Sequence, residues 1–214
     1  LEDERDGKTY TVTRLKDGNV WMTQNLAFDL DQNTELTPAD TDITSNWLPG
    51  RSTITNGDLE EWLYSSNNSK PASYSSGNST DGNYYNWTAA IAMNDSSELT
   101  SGNATGSICP KGWTLPQYGT TGKTYANLGA AYGLPNGGSS SSSVYHETLE
   151  QNPLNFVRAG RVNGTSLYAH GDNGIYWTSR VYSGNYAYLM SYDESRYFPQ
   201  SFDTRGAGFS VRCV

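Results

Sequence analysis

Short apolar runs, rather than long periodic ones, dominate the pattern of hydrophobic and polar positions along this chain. β-Branched and aromatic residues alternate with polar residues over a few positions at a time, which is typical of short, half-buried strands. The predicted strands cover residues 8–15, 20–22, 154–157, 166–168, 175–178, 186–192 and 209–214. Strands are therefore expected near both ends of the chain.

Two central segments show helical spacing instead. Residues 87–93 place Trp87 and Ile91 on one helix face, together with other small or apolar residues. Residues 120–132 repeat this amphipathic pattern, and Gly133 supplies a helix stop directly after it. The pattern predicts two short helices in the centre of the chain.

Polar, Gly-rich and Ser-rich stretches separate these elements and predict long irregular loops. They cover residues 29–47, 67–83, 95–106 and 139–143, and residues 58–63 could form one further short helix. No clean linker divides the chain, so residues 1–214 are predicted to form a single domain. Helices between terminal strands predict an α+β fold whose terminal strands meet.

Composition and net charge argue against two classes of binding partner, nucleic acids and membranes. The net charge is −8, which disfavours the phosphate backbone of nucleic acid and an anionic membrane surface. No apolar run approaches the roughly 18–20 residues that a membrane-spanning helix needs, so we expect no membrane insertion by this domain. Charged residues make up only 17 % of the chain and aromatic residues 13 %. These features favour turns, short strands and a partly aromatic surface.

The chain has two cysteines, Cys109 and Cys213, too far apart for a CxxC metal or redox motif. They are either two buried thiols or a disulfide formed in an oxidising compartment. The richness in Ser, Asn, Thr, Gly and Tyr favours the disulfide. An extracellular or cell-surface location is therefore expected.

Four motifs, spread from Asp6 to Cys213, carry a resemblance to a known family. They read DGKTY at 6–10 followed by WMTQNL at 21–26, CPKGWTLP at 109–116, YWTS at 176–179 and GFSVRC at 208–213. Together they resemble the Fibrobacter succinogenes major paralogous domain family, a branch of the formylglycine-generating-enzyme type of C-type-lectin fold. The resemblance implies a C-type-lectin-like fold with small antiparallel sheets and with the N-terminal strand paired to the C-terminal one.

The resemblance also implies roles for individual residues. Trp21, Trp113 and Trp177 would be buried anchors, and Cys109 and Cys213 would pair with each other. Formylglycine-generating enzymes use redox-active cysteines at a metal-dependent oxidase site, and both cysteines here match structural positions. We therefore expect no enzymatic activity and no required cofactor, with an enzyme of that type kept as an alternative.

Other catalytic or metal-binding patterns are weak. His146 and His170 are interpreted as solvated loop residues, and the adjacent carboxylates at 60–61 and 193–194 as turns. C-type-lectin relatives often hold Ca²⁺ on carboxylate, amide and backbone oxygens, so bound Ca²⁺ is possible. Candidate ligands in loops are Asp81, Asn83, Asn94, Asp95, Asp172 and Asn173, without EF-hand spacing. No metal site is assigned from this set.

The most unusual segment spans about 180–207 and is rich in Tyr with Ser, Gly, Asn and Arg. These residues dominate antibody paratopes, because Tyr gives a large contact area with few rotatable bonds. The candidate ligand-binding residues are Tyr182, Asn185, Tyr186, Tyr188, Tyr192, Arg196, Tyr197, Phe198, Phe202, Asp203 and Arg205. The alternative is that alternate residues from 186 to 192 form one buried strand face.

Variable proteins of diversity-generating retroelements place a variable C-terminal region on this same fold, before a fixed final strand. Their adenine-directed mutagenesis can convert an Asn codon into Tyr, Ser, Asp, Gly, Arg or Phe codons, and this segment is rich in those residues. The resemblance implies a diversified face for a protein or glycan ligand on another cell or surface. A Ca²⁺-dependent carbohydrate-binding lectin and a structural adhesin domain are the alternatives. The oligomeric state is not assigned.

Overall fold

The computed structural model describes residues 1–28, 73–75, 79–91, 102–104, 106–137, 145–163, 166–184 and 186–214, with the backbone alone at 73–75. The predicted helix at 58–63 and the predicted loops at 29–47 and 139–143 lie outside these residues. The predicted loops at 67–83 and 95–106 lie partly outside them.

The described chain is mixed α+β, as predicted, with short helices and small sheets. The helices are α1 (Trp87–Ala90), α2 (Tyr125–Ala131) and α3 (Tyr145–Glu150). The strands are β1 (Glu2–Asp3), β2 (Lys8–Thr9), β3 (Val12–Arg14), β4 (Val20–Met22), β5 (Ser73–Ser75), β6 (Asn83–Tyr85), β7 (Arg161–Asn163), β8 (Ser166–Tyr168), β9 (Gly174–Ser183), β10 (Tyr186–Tyr192), β11 (Tyr197–Thr204) and β12 (Phe209–Ser210).

A six-stranded sheet with the order β11-β10-β9-β12-β6-β5 organises the described residues. The three long strands β9, β10 and β11 form an antiparallel meander at one side of this sheet. Strand β12 runs parallel to β9 and antiparallel to β6. Three two-stranded antiparallel pairs, β1–β2, β3–β4 and β7–β8, complete the strands. The meander therefore presents β11 as an edge strand.

The centre of the large sheet is buried on both faces. Successive side chains of a strand point to opposite faces. On β9, Tyr176 accordingly joins one apolar cluster with Tyr125 of α2, while Trp177 joins the other with Trp87 of α1. The Trp177 indole Nε1–H donates to the Tyr85 carbonyl oxygen at 2.7 Å. Because β9 packs against apolar clusters on both faces, it is a rigid support for the side chains at its end.

Two helix N-termini are capped by side chains. The Asn86 Oδ1 accepts from the Ala89 N–H at 2.8 Å, and the Thr124 Oγ1 accepts from the Asn127 N–H at 3.0 Å. These bonds satisfy amides that the first helical turn leaves without a partner.

Helix α2 also packs closely on β11, because residue 129 is a glycine. A Cβ atom at Gly129 would lie 2.5 Å from the Tyr197 hydroxyl oxygen, which itself donates to the Tyr125 carbonyl at 2.7 Å.

Several elements differ from the sequence prediction. Helix α3 and strands β1, β5, β6, β7 and β11 were not predicted, and residues 154–157 are irregular rather than a strand. The predicted loop at 67–83 is wrong at 73–75, which form β5. Pro199 argues against a strand in sequence, yet β11 is an edge strand, where a missing N–H is tolerated. At Asn155 the φ angle is +49°, which is incompatible with an extended strand.

The predicted pairing of the terminal strands is wrong as a β-ladder. Strand β1 pairs with β2, and β12 pairs with β6 and β9. The two ends of the chain still meet, because the Met22 N–H donates to the Cys213 carbonyl at 3.0 Å and the Leu26 N–H to that of Val211 at 2.9 Å. Isolated backbone bonds therefore replace the predicted ladder.

The anchor predictions have mixed outcomes. Trp21 and Trp177 are fully buried, as predicted, whereas Trp113 is only half-buried against the edge of one cluster. The disulfide between Cys109 and Cys213 is formed, across a separation of 104 positions. Among the described residues, no helix is long and apolar enough to cross a membrane.

Candidate functional site: an exposed aromatic row beside a polar pocket

Five aromatic rings form a continuous row at one end of the β9–β10–β11 meander. Tyr118 packs on Tyr188 with ring centroids 3.9 Å apart, and Tyr188 meets Tyr182 edge to face at 5.1 Å. Tyr182 stacks on Phe202 at 4.1 Å with only 6° between the ring planes, and Tyr186 approaches Phe202 edge to face at 6.1 Å. These five residues are called the aromatic row below.

Strand register explains how distant residues meet in the row. Tyr188 on β10 is directly opposite Phe202 on β11, so their side chains lie on one face. The β9–β10 register shifts near Tyr186 and Ala187, and such irregularities re-aim side chains beside a turn. Gly184 adopts a φ of +48° in that turn. The row therefore rests on the strand ends of a packed sheet.

Three rings of the row are exposed to solvent. Tyr182, Tyr186 and Phe202 keep 43 %, 42 % and 47 % of their surface accessible. Aromatic edge-to-face and stacked contacts contribute about 0.5–1.5 kcal/mol each beyond area burial, so the rings hold one another in place. Contiguous exposed apolar surface is typical of interaction sites.

The sequence did not identify two members of this site. Tyr118 lies in a loop far from the Tyr-rich segment, and the Arg180 guanidinium lies 5.4 Å from the centre of its ring. An isolated bridge between Asn103 and Arg180 brings this loop region to β9. The pKa of Tyr188 is raised by partial burial and by its hydrogen bond with Tyr118. No local pattern around Tyr118 could indicate this long-range contact.

Three predicted ligand-binding residues are instead part of the scaffold. Tyr192, Tyr197 and Arg205 keep only 2 %, 1 % and 7 % of their surface accessible. Burial raises the pKa of both tyrosines, and the Arg205 guanidinium lies 4.9 Å from the Trp87 ring centre. Tyr197 and Arg205 are covered by the packed interior, whereas Tyr192 lies among core residues and reaches only the wall of the pocket described below.

The strand face from 186 to 192 is divided along its length. Tyr186 is exposed and Tyr188 half-buried, whereas Met190 and Tyr192 are buried in the core. The second half of β10 therefore forms the buried strand face of the alternative interpretation, and the first half leaves Tyr186 accessible to a ligand. The remaining candidate Asn185 lies outside the described residues.

The other candidates, Arg196, Phe198 and Asp203, line a pocket of about 320 Å³ on the same meander. Phe202 of the aromatic row lines it as well, whereas Leu189 and Ser201 alternate with Tyr188 and Phe202 along their strands and lie on the opposite face of the meander. The complete lining is Arg161, Asn173, Ile175, Leu189, Ser191, Tyr192, Asp193, Arg196, Phe198, Ser201, Phe202 and Asp203. The structure thus brings most exposed candidate residues into two adjoining features.

Two ion pairs border this pocket. The Arg161 Nη1 lies 3.4 Å from the Asp203 Oδ2, and the Arg196 guanidinium donates to the Asp193 carboxylate. Burial raises the pKa of Asp193, but hydrogen bonds from Arg196 and from the Ser195 amide outweigh it, so the pKa lies below its usual value. The Asp193 carboxylate is consequently ionised and held by its own turn.

The calcium candidates take part in local contacts. Asp81 is buried, and its Oδ2 lies 2.9 Å from the His170 Nε2, so this histidine is not simply solvated. The Asn83 side-chain amide donates to the Phe28 carbonyl at 3.1 Å. Asn94 and Asp95 lie outside the described residues. In the described parts of the chain, no group of three or more His, Cys, Asp or Glu side chains could hold a metal ion.

Comparison of the chain with protein-family models, curated proteins and solved structures finds no match. The function is therefore inferred from the exposed aromatic row, the adjoining pocket and the sequence motifs.

Proposed function

We propose that this chain is an extracellular or surface-displayed ligand-binding domain with a C-type-lectin-like fold. It binds a protein or glycan on another cell or surface, and the aromatic row is its contact face. The observation that carries the proposal is the exposure of mutually packed aromatic rings on the ends of buried strands. Tyr-rich surfaces of this kind concentrate binding energy in a few residues.

A rigid support favours binding by this face. Strand β9, most of which is buried, and the buried residues of β10 hold the row in one arrangement before a ligand arrives. Ordering loose side chains costs about 0.5–1.5 kcal/mol each on association, and a pre-packed row avoids part of that cost. Stacked Tyr182 and Phe202 are the clearest example.

Contacts among the motif residues support the proposed fold family. The disulfide joins the cysteines of the CPKGWTLP and GFSVRC motifs, and Trp21 and Trp177 are buried within their own motifs. Arg212, also in GFSVRC, is buried and donates to the Asn25 Oδ1 of WMTQNL at 2.9 Å. Four motifs that are distant in sequence thereby contribute to one core.

The state of the cysteines favours binding over the thiol chemistry of formylglycine-generating enzymes. The chain has two cysteines, and both are in the disulfide. Cys109 and Cys213 are also buried, so the bond is shielded from solution thiols. An oxidase that needs a free thiolate would have to draw on one of these two residues.

We further propose that the exposed part of the segment from 180 to 207 is diversified by a retroelement. Sibling sequences are expected to differ at Tyr182, Tyr186 and Phe202, whereas Tyr192 and Tyr197 stay constant because they are buried. Sequencing the gene neighbourhood for an adenine-variant copy of this segment and a reverse transcriptase gene checks the expectation. Substitutions spread equally over exposed and buried positions would contradict it.

A ligand screen with matched variants tests the binding face. The purified domain is screened against a displayed peptide library and a glycan array, together with a Tyr182→Ser/Phe202→Ser double variant. Tyr168→Ser is the control, because Tyr168 is equally exposed, at 49 %, but lies outside the row. We expect to find ligands that bind both the native domain and the control but do not bind the double variant. Retention of every ligand by the double variant would refute the proposed face.

A further inference from the structure

The pocket beside the aromatic row has the chemistry of a small-molecule site. Its volume of about 320 Å³ lies at the lower end of the usual range for ligand pockets. Leu189 and Ile175 supply apolar surface, and Phe198 and Phe202 supply aromatic surface. Ser191 and Ser201 add hydroxyl groups, and charged side chains complete the lining.

The charges in the lining balance. Arg161 and Arg196 contribute two positive charges, and Asp193 and Asp203 contribute two negative charges. A pocket with this balance has no strong preference for an anion or a cation. It offers donors and acceptors together, so a matching ligand needs both kinds of group.

The Arg161–Asp203 pair is loose enough to accept a ligand. Its N···O distance is 3.4 Å, and the two side chains are 45 % and 32 % exposed. A long, exposed ion pair of this kind contributes little to stability. A ligand group that inserts between the two side chains therefore sacrifices little stabilising energy. The Asp193 carboxylate, in contrast, is held by Arg196 and by two backbone amides.

A sugar ring carries the groups that this lining requires. Each hydroxyl both donates and accepts, which suits a guanidinium next to a carboxylate. The C–H face of the ring is apolar and suits an aromatic wall. We propose that this pocket binds one neutral saccharide unit by direct hydrogen bonds, without a calcium ion. The inference rests on the proposed binding function and assigns a glycan as the ligand.

Phe202 connects this subsite to the aromatic row. One face of its ring is stacked on Tyr182, and the same residue lines the pocket. The lining residues Leu189, Ser201 and Asp203 alternate along the strands with Tyr188 and Phe202, so the pocket and the row lie on opposite faces of the meander and share only Phe202 at its edge.

Direct binding measurements test this inference. A glycan array with neutral and acidic oligosaccharides is probed in EDTA, and the methyl glycoside of the bound terminal sugar is titrated by ligand-observed NMR. Asp203→Asn and Arg161→Gln change the pocket at exposed positions. Arg14→Gln is the matched control, because Arg14 is exposed on β3 and is not part of the pocket lining. Thermal unfolding of each variant verifies that it is folded.

We expect a neutral glycan to bind in EDTA, with affinity lowered about tenfold or more by either pocket variant and unchanged by the control. The inference is overturned if only acidic glycans bind, if binding needs added Ca²⁺, if no glycan binds, or if both pocket variants bind as the native domain does. Peptide ligands that depend on Tyr182, without any glycan ligand, would refute the saccharide pocket and leave the proposed function standing. Ligands that bind the Tyr182→Ser/Phe202→Ser variant as tightly as the native domain would refute the proposed function instead.

Discussion

Replacing Cys109 and Cys213 together by alanine is expected to lower the free energy of unfolding by about 2–5 kcal/mol. The bond closes a long stretch of chain, so its loss enlarges the unfolded ensemble. It also fixes the last residues of the chain, whose carbonyls accept from Met22 and Leu26. A cavity at two buried sulfur atoms adds to the cost.

Urea unfolding of the double variant and of the native domain measures this difference. Amide exchange locates it: the Met22, Leu26 and Thr114 amides bond to carbonyls at 211–214 and should exchange faster in the variant. The Leu128 amide, which bonds within α2 to the Thr124 carbonyl, is the internal control. A change below about 1 kcal/mol would contradict a stabilising role for the disulfide.

Arg212→Met is expected to cost about 3 kcal/mol or more, because three acceptors would be left without their buried donor. The Arg212 guanidinium donates to Asn25 Oδ1 and to the carbonyls of Leu154 and Asn155. It also lies 4.1 Å from the centre of the Phe156 ring. Burial lowers the pKa of Arg212, which reflects the cost of a charge that is compensated by dipoles and rings rather than by a carboxylate.

Two further variants make this prediction specific. Arg212→Lys keeps the charge but cannot reproduce the planar fork of donors, so it should be nearly as destabilising as Arg212→Met. Arg14→Met, at an exposed position of β3, should change the unfolding free energy by no more than about 0.5 kcal/mol. Denaturant unfolding compares all three. Native-like stability of Arg212→Lys would show that charge alone, and not the fork, matters.

The fold was predictable where a local pattern and the motifs agreed. Short strands at both ends, two of the helices, buried Trp21 and Trp177 and the disulfide could be inferred from sequence. Strand β11 could not, since Pro199 opposes a strand and only its place at the sheet edge permits one. Helix α3 escaped prediction because a single residue, Leu149, is buried along it.

The binding face was predictable as a segment but not residue by residue. Composition indicated a Tyr-rich region, yet Tyr186 and Tyr192 have the same side chain and opposite environments. Their difference depends on tertiary packing, because the Tyr192 ring lies against Phe156 and Gly174, and no periodicity encodes such contacts. Tyr118 joins the row through a tertiary contact, and Arg161 reaches Asp203 from β7. Such contacts exist only after the sheet is assembled.

The affinity of a ligand from the screen, compared across three proteins, tests the binding face most directly. Isothermal titration of the native domain, the Tyr182→Ser/Phe202→Ser variant and the Tyr168→Ser control with one ligand gives the comparison. If the aromatic row is the contact face, the dissociation constant of the double variant should be at least about tenfold larger than that of the native domain. Each hot-spot ring contributes roughly 1–2 kcal/mol or more to binding. The control should match the native domain. Equal affinities for the double variant and the native domain would contradict the row as the binding face.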